Sequence, residues 1–468
     1  MFLKRVFCEV GLGKPSKFIY RTYTDSKNPF TRTWDVLSND LRQKKKIFYP
    51  EHSDIVIIGG GIIGSSIAYS LKHRAGPGLS VVVLDKNLSN NVKEMQNNVL
   101  LGTLSQHYSL PENIYLSQYS AEFFRNIKEN LNSNVDIQYN PLGRLVLASE
   151  KYAEQLEQNV SIQREHGTKN ELISPDEIRK RFPWIDTTDI QLGCISTECD
   201  GVFNASKYLN ALIKSSKDLG ATYVDAELIG FELERQRDVL MEGVEPGSYQ
   251  KIKKLSYKTQ DDEIHDLNFA ACILAAGEQS GHIAKMAKIG DDEGLLTVPL
   301  PIEKREYNVY SIQNNPEALP VGLNTPFIMD TSGLWFRRNQ LENNSLCGLI
   351  PSFDINNNEH LKDELDTLIK PSLVNRFPGC KNIKIDHIGT EVYDYNSYDD
   401  TGILGPHVYH GTLYFATGFG ALGCQHAPGI GRAIAELIID GHFTTIDLTR
   451  LGFDRLLVDY PLIESNVY

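Results

Sequence analysis

Three glycines near residue 60 have a spacing that suits the binding of a pyrophosphate. Gly59, Gly61 and Gly64 fit the pattern Gly-x-Gly-x-x-Gly, and Asp85 comes 21 residues after the last of them. In this pattern the glycines permit a tight turn, the approach of a pyrophosphate and the close packing of a helix on a strand, while the acidic residue accepts hydrogen bonds from a ribose. The predicted dinucleotide contacts in this part of the chain are Gly59, Gly61, Ile62, Ile63, Gly64, Asp85 and Lys86.

A second glycine-rich turn lies late in the sequence, where residues 418–423 read GFGALG. Apolar residues then recur at helical spacing from Ile430 to Ile438, and Gly441 marks the predicted end of that helix. A helix N-terminus favours negative charge, and the ring of a flavin gains negative charge at its N1–C2=O edge when it is reduced. The predicted contacts with a flavin ring are Gly418, Gly420, Ala421, Leu422 and Gly423.

Segments with strand and helix patterns must position these two turns. Residues 55–58 and 80–84 are short apolar runs typical of buried parallel strands, and a helical pattern lies between them. The other predicted elements are a helix over 112–130, a helix and then a strand over 203–235, an exposed hairpin over 236–268, a buried strand over 269–277 and an antiparallel sheet over 300–350. This mixture of elements predicts an α/β protein.

The distribution of charge excludes some classes of function. The net charge is −13, although residues 1–50 carry eleven basic and four acidic side chains, a balance of +7. The acidic remainder argues against a nucleic-acid partner, since phosphate neutralisation needs a basic face. The basic, acid-poor residues 1–24 predict a mitochondrial presequence, and a disordered basic terminus is the alternative. We therefore expect the protein in the matrix or on the matrix face of the inner membrane.

The sequence also lacks the patterns typical of membrane-spanning segments, disulfide frameworks and metal sites. No apolar stretch is long enough to cross a bilayer, so any membrane contact is predicted to be peripheral. The seven cysteines include no Cys-x-x-Cys pair, and no His or carboxylate spacing suggests a metal ligand set. We predict reduced thiols and no metal site.

Five segments together resemble the FAD-dependent D-amino-acid oxidase superfamily, which includes sarcosine and dimethylglycine dehydrogenases. The segments are DIVIIGGGIIGSSIAYSL (54–71), SLPENIYLSQYSAEFFRNI (109–127), ILAAG (273–277), YDYNSYDDTGILGPH (393–407) and ATGFGALGCQHAPGIGRAIAELIIDGHFTTIDL (416–448). Within the superfamily, the second and the last two segments resemble a branch of mitochondrial proteins that serve as assembly factors of respiratory complex I. The resemblance implies bound FAD, further FAD contacts at Ala276 and Gly277, and complex I assembly intermediates as partners.

The resemblance also implies an arrangement of domains. The expected fold is a discontinuous Rossmann-like FAD-binding domain with an inserted antiparallel-sheet substrate domain. The predicted divisions are a presequence and basic linker over 1–50, FAD-binding segments over 51–135, 196–298 and 387–448, substrate-domain segments over 136–195 and 299–386, and a C-terminal tail over 449–468.

The sequence departs from the family pattern at several positions near the expected flavin. Gln96, Asn97 and Leu100 stand where small hydroxyl residues are usual, the Trp of an Ala-Ala-Gly…Trp-Ser motif is absent after Gly277, and Leu422 replaces the His of a Gly-His-Gly turn. Loss of that His removes a polar, titratable group from the ring side. Three interpretations stay open: a flavoprotein with weakened dehydrogenation, a working amine or N-methyl-amino-acid dehydrogenase, and a non-catalytic scaffold.

Candidate substrate residues lie in the predicted antiparallel sheet. Arg337 and Arg338 are adjacent, so one of them should point inward and bind a substrate carboxylate. Tyr393 and Tyr395 share one face of a strand and are predicted to line the pocket, while Lys304 and Arg305 are weaker candidates. Each of these also suits an ordinary packed or solvated role. Covalent attachment of FAD would need a placed His or Cys, and since His107 and Cys347 fit no attachment motif, we predict non-covalent FAD.

Overall fold

The computed structural model describes residues 49–465 apart from 89–100, 197, 316, 318, 340, 341, 351–362 and 422. The chain divides into two units, 1–49 and 50–468, and the description below concerns the second. The predicted presequence and basic linker lie outside the described residues, except for residues 49 and 50. The departures at Gln96, Asn97 and Leu100 and the predicted contact of Leu422 also lie outside them.

The strands of the described residues follow the chain in this order: β1 (His52–Ile58), β2 (Val81–Asp85), β3 (Leu101–Leu104), β4 (Arg144–Ala148), β5 (Asn170–Ile173), β6 (Leu192–Ser196), β7 (Gly201–Asn204), β8 (Thr222–Arg235), β9 (Gln250–Thr259), β10 (Ile264–Leu274), β11 (Ile302–Gln313), β12 (Phe327–Met329), β13 (Leu334–Arg338), β14 (Asn344–Leu349), β15 (Ile385–Asn396), β16 (Ile403–Pro406) and β17 (Leu413–Thr417).

The α-helices of the same residues are α1 (Ile62–Ala75), α2 (Pro111–Arg125), α3 (Ile127–Asn130), α4 (Ala153–Glu165), α5 (Pro175–Arg181), α6 (Ala205–Asp218), α7 (Ser280–Met286), α8 (Lys370–Arg376), α9 (Ala427–Ile439) and α10 (Asp454–Leu457). The predicted helix over 112–130 is therefore two helices, because the chain leaves the helical conformation at Asn126.

One sheet carries both glycine turns. Its parallel strands lie in the order β8, β2, β1, β10 and β17, and β16 pairs antiparallel with β17 at the edge. The segments of β1, β2 and β10 that pair in parallel are largely apolar and buried, as parallel strands in the interior of a sheet usually are; Val81 to Leu84, for example, are all buried. Helices α1 and α9 pack side by side, and a Cβ at Gly431 would lie 2.5 Å from the Ser66 hydroxyl.

Strand β9 pairs antiparallel with the second part of β8 and with the first part of β10. These three segments form an antiparallel meander that extends the parallel sheet. The sequence predicted an exposed hairpin over 236–268. The structure contains a hairpin there, because β9 pairs antiparallel with β10, but the hairpin is not wholly exposed. Ile252, Leu255 and Tyr257 of β9 are at most 2% exposed, and residues 236–249 connect β8 to β9. The four lysines of β9, namely Lys251, Lys253, Lys254 and Lys258, obscured this burial in the sequence.

A second, mostly antiparallel sheet has the strand order β15, β11, β14, β13, β12, β4, β6 and β5. Strand β15 pairs with β11 from Ile302↔Asn396 to Ile312↔Ile385. It therefore lies wholly in this sheet, whereas the predicted boundary at 386/387 divides it between two domains. Because its strands come from segments between those of the first sheet, the chain crosses repeatedly between the two. The predicted α/β class is confirmed.

The C-terminal residues fold back onto the body of the protein. Leu451, Phe453, Leu456 and Leu462 are all at most 8% exposed. Arg455 binds Asp399 through two hydrogen bonds, at 2.8 and 3.0 Å, and fixes this segment beside the loop after β15. No helix among the described residues is both long and apolar enough to cross a membrane.

Candidate functional site

The turn between β1 and α1 is shaped by three glycines with different surroundings. Gly59 has φ +105°, and a Cβ there would lie 2.1 Å from the carbonyl oxygen of Ala275. A Cβ at Gly64 would lie 1.9 Å from the carbonyl oxygen of Gly59. A Cβ at Gly61, in contrast, would meet no atom within 4 Å. Gly59 and Gly64 therefore permit close backbone packing, and Gly61 leaves open space where a phosphate can approach.

Asp85 ends β2 beside this turn. Its Oδ2 accepts a hydrogen bond from the backbone N–H of Gly60 at 2.7 Å, and its Oδ1 accepts one from Asn87 at 2.8 Å. These bonds hold the carboxylate at the wall of the adjacent cavity. A carboxylate oxygen can accept more than one hydrogen bond, so Asp85 keeps the capacity to bind ribose hydroxyls.

A cavity of about 410 Å³ joins the two glycine-rich turns. Most of the predicted FAD contacts line it, namely Gly59, Gly61, Ile62, Ile63, Asp85, Lys86, Ala276, Gly277, Gly420, Ala421 and Gly423. Gly64 and Gly418 do not line it. Gly64 is in the first turn of α1 and packs against the carbonyl oxygen of Gly59, and a Cβ at Gly418 would lie 2.6 Å from Ile302 Cδ1, so both positions serve packing. The chain thus brings together turns that are about 360 residues apart.

Asp394 holds the late glycine turn in place. Its Oδ2 accepts hydrogen bonds from Gly418 N–H at 2.5 Å and from the Thr417 hydroxyl at 3.2 Å, and its carbonyl oxygen accepts one from Gly420 N–H at 3.2 Å. Burial raises the pKa of Asp394 to about 6, although these hydrogen bonds oppose the rise. Asp394 also lines the large cavity. Sequence analysis missed this residue, although a carboxylate between Tyr393 and Tyr395 in a strand was a visible signal.

A smaller pocket of about 140 Å³ adjoins the large cavity. Both are lined by Tyr307, Tyr393, Gly420 and Ala421. The other residues of the pocket wall are Thr103, His107, Tyr108, Asn113, Arg144, Phe327, Met329, Trp335, Leu349, Ile350, Asp400, Thr401, Gly402, Phe419, His426 and Glu464. Aromatic rings and a few charged groups therefore surround a space that opens beside the late glycine turn.

The predicted substrate residues have different places in the structure. Tyr393 lines the pocket, but Tyr395 lines neither cavity because its ring lies under the guanidinium of Arg305, 3.4 Å from the ring centre. Arg338 donates to the carbonyl oxygen of Val321 at 2.9 Å. Arg337 is 5% exposed and lies 3.5 Å from the carbonyl oxygen of Gly102. Neither arginine lines the pocket, so neither is placed to bind a carboxylate there.

Arg144 is the arginine that lines the pocket. It begins β4, whose other residues are apolar, and it is 7% exposed with its guanidinium 5.2 Å from the ring centre of Phe327. A charged residue in a buried apolar strand is costly unless it has a partner or a function. A single arginine in the otherwise apolar segment RLVLA (144–148) was a signal in the sequence that could have identified Arg144.

His107 and Asp200 form a buried pair beside Arg144. His107 Nε2 lies 3.3 Å from Asp200 Oδ2, and the two side chains are 4% and 0% exposed. Burial lowers the pKa of His107 well below its usual value, with a smaller contribution from Arg144. Burial raises the pKa of Asp200 to about 7, and Arg144 is among the groups that oppose the rise. His107 is therefore a neutral polar group in the pocket wall.

The two residues weighed for covalent attachment do not line the large cavity. His107 belongs to the smaller pocket, and Cys347 lies in the core of the antiparallel sheet at 0% exposure. His282 and Cys424 do line the large cavity and were not considered from the sequence. Non-covalent FAD stays a prediction. His426 lies in the smaller pocket, where its Nε2 is 3.1 Å from the Ser117 hydroxyl, and burial lowers its pKa to about 3.

The large cavity fits a dinucleotide that carries a flavin. The open position at Gly61 accommodates a pyrophosphate, Asp85 accommodates a ribose, and the turn before α9 closes the opposite end. Helix α9 directs its N-terminus to this turn and so favours negative charge there.

Comparison with known proteins agrees with this geometry. The DAO family, described as FAD dependent oxidoreductase, matches residues 54–437. The chain is 36% identical over 477 residues to the FAD-dependent oxidoreductase domain-containing protein 1 homolog of Drosophila melanogaster, covering 94% of this chain and 92% of that protein. It is 35% identical over 496 residues to FAD-dependent oxidoreductase domain-containing protein 1 of Mus musculus, covering all of both chains.

The fold is also that of a solved enzyme. The crystal structure of L-proline dehydrogenase from P. horikoshii superposes with a TM-score of 0.68 at 20% identity, covering 88% of this chain and 100% of that chain. At this identity the likeness shows the fold alone. Taken with the family match over residues 54–437, the comparisons establish that the chain belongs to the DAO family of FAD-dependent oxidoreductases, whose cofactor is FAD.

Proposed function

We propose that this protein uses FAD to oxidise a small amine or amino acid bound in the 140 Å³ pocket. The observation that carries the proposal is that this pocket and the dinucleotide cavity share Tyr307, Tyr393, Gly420 and Ala421. A ligand in the pocket therefore lies beside the turn expected to hold the flavin ring. Bound FAD supplies the electron acceptor for such an oxidation.

The residues of the chain have separate tasks in this proposal. Arg144 binds a substrate carboxylate, because a guanidinium recognises a carboxylate with two hydrogen bonds. Phe327, Trp335 and Phe419 enclose the carbon skeleton and exclude water. Tyr307 and Tyr393, which line both spaces, fix the distance between the ligand in the pocket and the cofactor in the neighbouring cavity. Burial raises the pKa of both phenols, so both stay neutral.

Anaerobic addition of candidate substrates tests the proposal. Sarcosine, dimethylglycine and L-proline are mixed separately with the purified flavoprotein, and absorbance at about 450 nm is followed. Bleaching by at least one of them, slowed in Arg144→Lys, is the expected result. If none bleaches the flavin while dithionite does, the oxidation proposal fails and a flavoprotein without this activity remains.

A second proposal concerns the role of the protein in the cell. The blocks 109–127 and 393–448 resemble complex I assembly factors, and the basic residues 1–24 favour import into mitochondria. On this basis the protein supports complex I assembly, with assembly intermediates as partners, from the matrix or the matrix face of the inner membrane. Of the two proposals, the oxidation of a small amine or amino acid has the stronger geometric support, because the pocket adjoins the proposed FAD cavity.

Rescue of cells that lack the protein tests the cellular role and separates it from a scaffold function. The wild-type chain should restore the amount of complex I and should co-fractionate with the matrix, whereas a chain without residues 1–24 should stay outside. A Gly61→Leu chain, which should not hold FAD, should fail to restore complex I. Full rescue by Gly61→Leu would instead favour a scaffold that needs no cofactor.

A further inference from the structure

We propose that the C-terminal segment 460–465 completes the substrate pocket, and that its Glu464, together with Asp400, forms the subsite for a positively charged amine. The inference rests on the proposed function and deepens it, because it divides the pocket between a subsite for an anion at Arg144 and a subsite for a cation. Glu464, Asp400 and Arg144 all line the same pocket.

Hydrogen bonds hold the C-terminal segment against two parts of the protein, the loop at residues 399–401 and Ser109. Leu462 donates its N–H to Asp399 Oδ2 at 3.0 Å and accepts a hydrogen bond from the Thr401 hydroxyl at 2.6 Å. Ser465 donates its N–H to the Ser109 hydroxyl at 2.7 Å. With Leu462 only 2% exposed, the segment is an ordered part of the wall.

Glu464 is oriented by donors at the start of α2. Its Oε2 accepts hydrogen bonds from the N–H and the hydroxyl of Ser109, both at 2.7 Å, and its Oε1 accepts one from Asn113 Nδ2 at 2.6 Å. The N–H of Leu110 also lies 3.3 and 3.2 Å from the two oxygens, so four donors in residues 109–113 hold the carboxylate in one orientation, and its negative charge is what it offers to a ligand. Asn113 also lines the pocket, so the held carboxylate is at the pocket surface.

The charge of Glu464 disfavours the charged form of Asp400. Asp400 keeps some contact with solvent, but the protein around it removes part of its hydration and raises its pKa to about 7. Asp399 and Glu464 increase this rise, and Arg305 opposes it. Burial also raises the pKa of Glu464, against the effect of its hydrogen bonds. Two carboxylates crowded into one site are both stabilised as anions by a bound cation. No salt bridge to Glu464 or Asp400 occurs among the described residues.

An independent feature of the pocket also indicates a polar ligand. The side chain of His107 is 4% exposed and lines the pocket, yet its Nδ1 has no hydrogen-bond partner among the described residues. A buried ring nitrogen without a partner is costly, and a ligand group in the pocket can satisfy it. A residue of the pocket wall therefore carries an unpaired polar atom, besides the two carboxylates and Arg144.

A pair of isosteric probes tests the cation subsite directly. Glycine betaine carries a quaternary ammonium and a carboxylate, and 3,3-dimethylbutanoate has the same shape with a neutral carbon in place of the nitrogen. Binding to the purified holoprotein is measured from the change in the flavin absorbance on titration. For the wild-type protein we expect betaine to bind about tenfold or more tightly than 3,3-dimethylbutanoate.

Neutralising either carboxylate should remove that preference. Glu464→Gln keeps the shape and the hydrogen bonds to Ser109, and Asp400→Asn keeps a residue that tolerates the φ of +54° at this position. Each should bind betaine about tenfold more weakly and 3,3-dimethylbutanoate within about twofold of wild type. Glu303→Gln, on β11 and outside the pocket wall, is the matched control and should change neither.

The outcomes separate this inference from the function on which it rests. An unchanged preference in Glu464→Gln and Asp400→Asn, or equal weakening of both probes, would overturn the cation subsite while leaving the oxidation proposal standing. If the wild-type holoprotein binds neither probe and no amine bleaches its flavin, the proposed function fails and the subsite with it.

Discussion

Tyr307 and Tyr393 lie with their ring centres 5.9 Å apart and both line the dinucleotide cavity and the smaller pocket. They come from β11 and β15, which run antiparallel at the edge of the second sheet. Gly420 and Ala421, which complete the same junction, lie in the turn that follows β17 of the first sheet. The proposed junction of cofactor and substrate is thus built by residues of the second sheet and by the turn that follows a strand of the first.

Substitution of Gly61 tests the pyrophosphate site without disturbing the protein's own packing. A Cβ at Gly61 would meet no protein atom within 4 Å, and a leucine there would extend into the cavity, so Gly61→Leu should fold and should bind FAD about tenfold or more weakly. The measurement is the flavin released by heating, per mole of chain, with circular dichroism as the check on folding. Gly78→Leu also places its Cβ in open space but lies outside the cavity, and it should retain FAD. A Gly61→Leu protein with full FAD would contradict the assignment.

Removal of the Tyr393 ring should slow substrate oxidation more than it weakens FAD binding. Tyr393→Leu loosens the position of the ligand at the junction, and a misplacement of about 1 Å can cost about 100-fold in rate. The measurement is the rate of flavin reduction by the best amine under anaerobic conditions. Tyr395→Leu is the matched control on the same strand face, since Tyr395 lines neither cavity. Equal effects of the two substitutions would mean that both act only through packing.

Glu436 should stabilise the protein in a pH-dependent way. Burial favours its neutral form, but hydrogen bonds from the Thr445 hydroxyl, Thr444 N–H and Arg432 Nε outweigh burial and lower its pKa from 4.5 to about 2. A carboxylate with a lowered pKa contributes stability above its unfolded-state pKa and loses that contribution as the pH falls to its folded-state pKa.

The expected size follows from the lowering of the pKa from 4.5 to about 2, which corresponds to at most about 3 kcal/mol and to less where solvent screens the charge. Glu436→Gln should lower the free energy of unfolding by up to about 3 kcal/mol at pH 7 in urea titrations. The difference from wild type should shrink as the pH is lowered from about 4.5 towards 2. Glu129→Gln, at an exposed position, should change stability by less than about 0.5 kcal/mol. A difference that does not vary with pH would contradict the account.

Replacement of Leu422 tests whether the departure from the family turn weakens catalysis. An imidazole at this position restores a polar, titratable group in the turn expected at the flavin ring. If the missing group limits the reaction, Leu422→His should accelerate flavin reduction by about tenfold or more, while Leu422→Met should not. Stopped-flow absorbance under anaerobic conditions measures both. Equal rates in the two variants would remove the main support for weakened dehydrogenation.

The first glycine turn could be predicted because its causes are local. A buried strand, Gly59, Gly61 and Gly64, a helix and Asp85 lie within 34 residues, and each is set by backbone sterics and apolar periodicity. Helix α9 and the β1–α1–β2 unit were likewise predicted close to their observed bounds. The α/β class follows from these elements.

The substrate pocket could not be predicted in the same way, since its residues are distant in sequence. Arg144 and Glu464 are 320 residues apart, and no local pattern shows that they line one space. The sequence also could not show that Arg337 and Arg338 lie outside the pocket. Strand alternation predicts which side chains share a face of the sheet, but it does not predict which residues pack against that face. The β11–β15 pairing and the folded-back C-terminal segment supplied that information.

Titration of the flavin-free protein with FAD, ADP and FMN tests the central claim, namely that the turn at Gly61 and the turn at Gly420 hold opposite ends of one molecule. Intrinsic fluorescence reports the binding. One FAD should bind per chain, ADP and FMN should each compete with it, and FAD should bind at least about 100-fold more tightly than either half because the two ends are linked. FAD that binds no more tightly than ADP, or ADP and FMN that fail to displace it, would contradict the account.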